Sequence, residues 1–180
     1  MKVIAINGSV AGSKTGLALN NLKFADTVDL ELLNLKDMTM SFADGRDYRE
    51  YDNDNKLIVE KLIEADGIVI ALPIYQASIP GVLKNILDLI PINALQSKPI
   101  GLIITAGSPR HYLVAQQHLI PVLDYLKMDV ITKYVFIEAS DLADTKLNDE
   151  IAMRIENLAN ELTYKIEAKL EKDKAMYDFL

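Results

Sequence analysis

The chain has 180 residues, half of them apolar and a quarter charged, enough for one domain with a substantial core. Its net charge of −7 comes with no basic stripe, which argues against a nucleic-acid partner, and no apolar run reaches membrane-spanning length. The absence of cysteine excludes disulfides, thiolate catalysis and iron–sulfur ligation together.

The first apolar run, Val3-Ile4-Ala5-Ile6, has no leader pattern ahead of it, so a cytoplasmic protein is expected. Lys2 to Asn7 reads as a strand buried on both faces, as in a parallel sheet. It runs into Asn7-Gly8-Ser9-Val10-Ala11-Gly12-Ser13-Lys14-Thr15-Gly16 and then into a helix expected from about Ser13 to Phe24. A strand, a small-residue loop and a helix start make an anion cradle. The first N–H groups of a helix lack partners within it, and its dipole adds positive potential. Glycine lets the main chain approach a ligand closely, and Ser9, Ser13 and Thr15 can donate hydroxyl hydrogen bonds. The loop is not a P-loop, because Ser13 stands where that pattern needs glycine and no strand ends in a magnesium-holding carboxylate. Nor does it carry the Gly-x-Gly-x-x-Gly spacing of a dinucleotide fold. A terminal monoester phosphate, as in FMN, suits it best.

Val28 to Leu32 alternates apolar and acidic residues and reads as an edge strand with one wet face. Residues 36–54 show little apolar periodicity and read as a long loop, either mobile or shaping a site. A helix follows from about Asn55 to Ala65. Gly67 to Leu72 is a second fully apolar strand and leads into Pro73-Ile74-Tyr75-Gln76-Ala77-Ser78-Ile79-Pro80-Gly81. The next helix, about Pro80 to Ile90, is apolar on more than one face, which predicts contact with a second subunit and a homo-oligomer. Pro99 to Thr105 is the fourth strand, followed by Ala106-Gly107-Ser108-Pro109-Arg110-His111 and a helix to about Leu126, bent at Pro121. Val130 to Ile137 is the last strand. The closing helix starts near Asn148 and carries a core-facing stripe to Leu170, with a frayed tail expected over 171–180. His111 and His118 lie seven apart on one predicted helix face with no third ligand evident, so no metal site is expected.

Alternating strands and helices give an α/β fold: three layers, doubly wound, with a five-stranded parallel sheet in one domain over 1–180. Ligands of such sheets bind beyond the carboxyl ends of the strands. Three loops leave those ends, at Gly8–Thr15, Pro73–Gly81 and Thr105–His111, and all three should converge on one crevice.

With those loops in view, the sequence resembles the flavodoxin-like NAD(P)H-dependent FMN reductases from Val3 to about Leu162. Gly8-Ser9-x-x-x-Ser13-Lys14-Thr15 looks like the family's FMN-phosphate loop. Pro73-x-Tyr75-x-x-Ser78-x-Pro80-x-x-x-Lys84-Asn85 matches its isoalloxazine loop and is the most specific motif present. Thr105-Ala106-Gly107-Ser108 resembles the segment closing on the pyrimidine end of the flavin. Ser108 through Pro121 is similar to the flavin-supplying reductases of two-component monooxygenases, which implies a monooxygenase partner. Ala11 stands where many members carry arginine, so amides and hydroxyls, with Lys14, would have to hold the phosphate.

The resemblance implies the flavodoxin strand order 2-1-3-4-5, FMN as cofactor and NAD(P)H as co-substrate. It also implies hydride delivery to flavin N5 with no catalytic side chain. The cofactor-binding residues would be Ser9, Ser13, Lys14, Thr15, Pro73, Ile74, Tyr75, Gln76, Ala77, Ser78, Thr105, Ala106, Gly107 and Ser108. Amides between Gln76 and Ser78 would face the flavin, and Tyr75 would pack against the ring or cover its edge. Arg110 and His111 are candidates for the nicotinamide substrate or the flavin O2 edge. Two rival activities share the scaffold: a flavodoxin-type FMN electron carrier, and a quinone, azo-compound or nitro-compound reductase.

Overall fold

The computed structural model describes residues 1–11, 14–143 and 146–177. Four long strands form its parallel sheet: β1 (Lys2–Asn7), β2 (Asp29–Asn34), β3 (Gly67–Pro73) and β4 (Pro99–Thr105). The order is β2-β1-β3-β4-β5, and the fifth position is filled by two short segments, β5 (Asp129–Val130) and β6 (Val135–Ile137). Both pair with β4, at Pro99–Ile100 and at Ile103–Thr105, so the single strand expected over 130–137 is one interrupted strand.

Successive side chains of a strand point to opposite faces, and each face of this sheet carries its own core. Ile4, Ile6, Ile68 and Ile70 pack with Ile58, Val59 and Leu62 of α2 (Asp54–Glu64) and with Leu83, Ile86 and Leu87 of α3 (Gly81–Leu87). Leu123 of α4 (Ile120–Tyr125) joins them. On the other face Val3, Ala5, Val69 and Ile103 meet Ala18 and Leu19 of α1 (Lys14–Asn20). The stripe Ile151, Ile155, Leu158, Leu162 and Ile166 of α5 (Asp149–Tyr177) covers the same face. These are the three expected layers. A two-stranded antiparallel ribbon, β7 (Leu142–Ala143) with β8 (Lys146–Leu147), precedes α5.

Several boundaries differ from expectation. The first helix stops at Asn20, and α5 stays helical to Tyr177 where fraying was expected from 171. β2 is the edge strand, yet Leu30 and Leu32 are 36% and 42% exposed and Leu33 takes the buried position instead. The segment 36–54 is not a loose excursion. The carbonyl of Ser41 accepts from Asn55 Nδ2 (2.9 Å) and Asn85 Nδ2 (2.8 Å), and Asn85 Oδ1 accepts from the Ala43 amide (2.7 Å). Tyr51 is buried beneath the segment and donates its hydroxyl to Asp44. Leu83, Ile86, Leu87, Leu89 and Ile90 are all buried within the chain itself, so the apolarity that pointed to a subunit contact serves the intrachain core.

The region expected to be one helix over 110–126 is three pieces: a 3₁₀ turn Pro109–His111, a π turn Ala115–Leu119, and α4. Pro121 has no N–H for the Gln117 carbonyl, and its ring would collide with that group in a regular helix. The ladder widens immediately before it. His111 and His118 therefore do not share a helix face.

Candidate flavin site

The site is built where the first, third and fourth strands end side by side. β3 and β4 finish together, Pro73 against Thr105, and β1 ends two register steps earlier, Asn7 against Ala71. The Gly8 amide donates to Ala71 O (2.8 Å) and the Ile74 amide to Thr105 O (2.9 Å), so the three loops leave the sheet already tied. Asn7 then shapes the first loop: its Oδ1 accepts from the Ser9 amide (3.1 Å) while its Nδ2 donates to Asn34 Oδ1 (3.0 Å). This is an Asx turn, signalled by an asparagine ahead of glycine at a strand end.

Side chains join the loops above the sheet. Thr15 Oγ1 and Thr105 Oγ1 stand 3.1 Å apart, both buried. Tyr75 reaches across to the first loop, where its hydroxyl donates to Ala11 O (3.2 Å) and lies 3.4 Å from Ser9 Oγ. Ser9 Oγ itself donates to Ala11 O (2.5 Å). Together the loops enclose one cavity of about 360 Å³, lined by residues of all three. Ser9, Lys14, Thr15, Pro73, Ile74, Tyr75, Thr105, Ala106 and Gly107 of the predicted set border it, with Ala11 added. The volume lies within the ordinary range for small-molecule sites.

The wall suits a flat ring ending in a phosphate. Pro73, Ile74 and Ala106 are its apolar part, while Lys14 and Thr15 at the start of α1 and Ser9 in the loop ahead of it are its polar part. Among the described residues Lys14 is the one cation on the wall and no carboxylate borders it, so an anionic group meets positive charge locally in a chain of net charge −7. A Cβ built on Gly107 would meet no atom within 4 Å, so the main chain there faces open space.

The other described residues of the predicted set stand outside the lining. Ser13 lies outside the described residues. Gln76 and Ala77 form the tip of a tight hairpin with φ of 48° and 57°, closed by Tyr75 N to Ser78 O (3.0 Å) and Ser78 N to Tyr75 O (2.9 Å). The Ser78 amide is thereby used within the turn, whereas the amides of Gln76 and Ala77 have no partner among the described residues. Ser78 Oγ meets His118 Nδ1 at 3.0 Å, a partner the sequence did not suggest. Ser108 accepts from the Arg110 amide and caps the 3₁₀ turn, and Arg110 is exposed. His111 Nδ1 is buried with no partner among the described residues. Behind this turn Tyr134 donates to Tyr112 O (2.6 Å), and burial, with Tyr112 adding to it, pushes the Tyr134 phenol up to about 12. Asn85, the last residue of the second motif, braces the 38–51 segment and does not touch the cavity.

The chain is similar to known flavin reductases in sequence and in fold. Residues 1–141 match the family described as NADPH-dependent FMN reductase. An NAD(P)H-dependent FAD/FMN reductase of Geobacillus thermodenitrificans is 34% identical over 163 residues, covering 84% of this chain and 88% of that protein. An NADH-dependent FMN reductase of Pseudomonas fluorescens is 28% identical over 155 residues, covering 83% of each. Among solved structures, the apo form of an NADH:FMN oxidoreductase superposes with a TM-score of 0.73 at 26% identity, covering 89% of this chain and 87% of that one.

Proposed function

The chain belongs to the NADPH-dependent FMN reductase family, with FMN as cofactor and NAD(P)H as reductant, and we propose that the cavity shared by its three loops is the flavin site. The observation that carries this is the convergence itself: ten residues from three separate loops line one hollow and are cross-tied by Thr15–Thr105 and Tyr75–Ala11. When bound, FMN supplies the hydride acceptor, so no side chain has to serve as acid or base. Ser9, Lys14 and Thr15 hold the phosphate. Pro73, Ile74 and Tyr75 would border the ring, and the amides of Gln76 and Ala77 with the Thr105–Ser108 segment would supply hydrogen bonds to its polar atoms. Arg110 and His111, beyond the rim at Gly107, receive the nicotinamide nucleotide.

We assign the chain as one flavin-binding domain in a cytoplasmic enzyme that supplies reduced flavin to a monooxygenase, on the likeness of its 108–121 stretch to such reductases. No helix among the described residues is long and apolar enough to cross a membrane. We also propose a homo-oligomer. The surface that favours it is a groove of about 500 Å³ lined by Val10, Met38, Met40 and Val82, with Phe42 88% exposed at its rim.

The test is NADPH and NADH oxidation in air with the purified chain. Sustained, FMN-dependent oxidation is expected. Flavin that binds but is not turned over would identify a carrier instead.

A further inference from the structure

We infer that His118 is a positioning residue, holding Ser78 so that the Gln76–Ala77 turn keeps its left-handed conformation and presents its two amides to the flavin site. Both tip residues have positive φ, at 48° and 57°. A two-residue hairpin with positive φ at both central positions is a type I′ turn, which favours Asn-Gly because other L-residues seldom adopt that backbone. Gln-Ala is poor chemistry for it, so the turn needs support from its flanks.

Each flank has one. On one side the Tyr75 hydroxyl is tethered to Ala11 O in the first loop (3.2 Å). On the other, Ser78 Oγ is tethered to His118 Nδ1 (3.0 Å), forty residues away. His118 can make this contact because it sits in the π turn Ala115–Leu119. Such single wide turns concentrate at functional sites. Each extra residue in a helical turn re-aims the side chains by about 100°, and here the re-aimed ring meets the hairpin. The irregularity beside Pro121 thus has a use in addition to accommodating the proline.

The consequence for flavin rests on the assignment of this hairpin to the flavin site, whereas the clamp on the turn can be read without ligand. The experiment is amide hydrogen exchange on the full chain, followed by FMN titration, for wild type, His118→Ala, His118→Asn and Ser78→Ala. The Ser78 amide, bonded to Tyr75 O, reports opening of the turn. In His118→Ala its exchange should quicken about 3- to 10-fold, as for loss of one hydrogen bond, with the amides of Ile70 and Ile103 unchanged. FMN binding should weaken by a similar factor. His118→Asn, whose amide can occupy the place of Nδ1, should restore both. Ser78→Ala removes the same bond from the other side and decides the matter should His118→Ala fail to fold.

Unchanged exchange at Ser78 in the alanine variants overturns the proposal whatever the flavin does. Faster exchange with unaltered FMN affinity overturns the positioning role. A wild-type chain that binds no FMN contradicts the functional reading instead, and exchange still decides whether His118 holds the turn.

Discussion

The hydroxyls of Thr15 and Thr105, ninety residues apart in sequence, stand 3.1 Å from each other in a buried position beneath the cavity. They pin the start of α1 to the end of β4 and so fix the distance between the first and third loops. Replacing either by valine keeps the shape but leaves the other hydroxyl buried without its partner, which costs about 1–3 kcal/mol. Replacing both removes the unpaired group as well. Urea unfolding should therefore find the double variant closer to wild type than either single one. Additive losses would mean that the two hydroxyls do not depend on each other.

Gly67 opens β3 directly beneath α5, and a Cβ there would lie 2.4 Å from Ile166 Cδ1 and 2.9 Å from its Cγ1. Ile166 is fully buried, so it has little room to yield. Gly67→Ala should cost about 1–3 kcal/mol of stability, and adding Ile166→Val should return part of it. Thermal unfolding of the pair checks this; an alanine variant as stable as wild type would show that α5 can shift outward freely.

Lys98, 7% exposed, donates to the carbonyls of Leu62 (2.8 Å), Ile63 (2.6 Å) and Ala65, closing the carboxyl end of α2. Burial, helped by the charge of Lys169 and opposed by Asp66, lowers its pKa to about 8 from 10.5. Between those values the unfolded chain holds a proton that the folded chain has released. This group therefore makes stability rise with pH across that window, by at most about 1.4 kcal/mol per pH unit. In Lys98→Met that contribution is absent, so the stability gap between wild type and variant should widen from pH 8 to 10.5. Urea midpoints at several pH values measure it, and a constant gap would place the lysine's proton affinity at its ordinary value.

The parallel sheet and both faces of the core were legible because Val3–Ile6, Gly67–Leu72 and Pro99–Thr105 are continuous apolar runs and α5 carries an unbroken stripe, while the strand order followed from the family resemblance. The three loops were legible from glycine, serine and threonine at the ends of those runs. What stayed hidden depends on distant partners. Asn85 looked like part of the flavin motif, yet it spends both polar atoms on the main chain of Ser41 and Ala43. Tyr51 lay in a stretch without periodicity and proved to be core. The π turn was invisible because Pro121 announces only that a regular helix must change there, and Ser78 as the partner of His118 follows from the fold alone.

FMN and riboflavin share the ring and differ in the phosphate, so their relative affinities read the first loop directly. The Ser9, Lys14 and Thr15 contacts, as charge-assisted hydrogen bonds worth about 1.5–3 kcal/mol each, predict that FMN binds the purified chain at least about tenfold more tightly in a fluorescence titration. Equal affinity for the two would contradict the assignment of this hollow to a phosphate-tailed flavin.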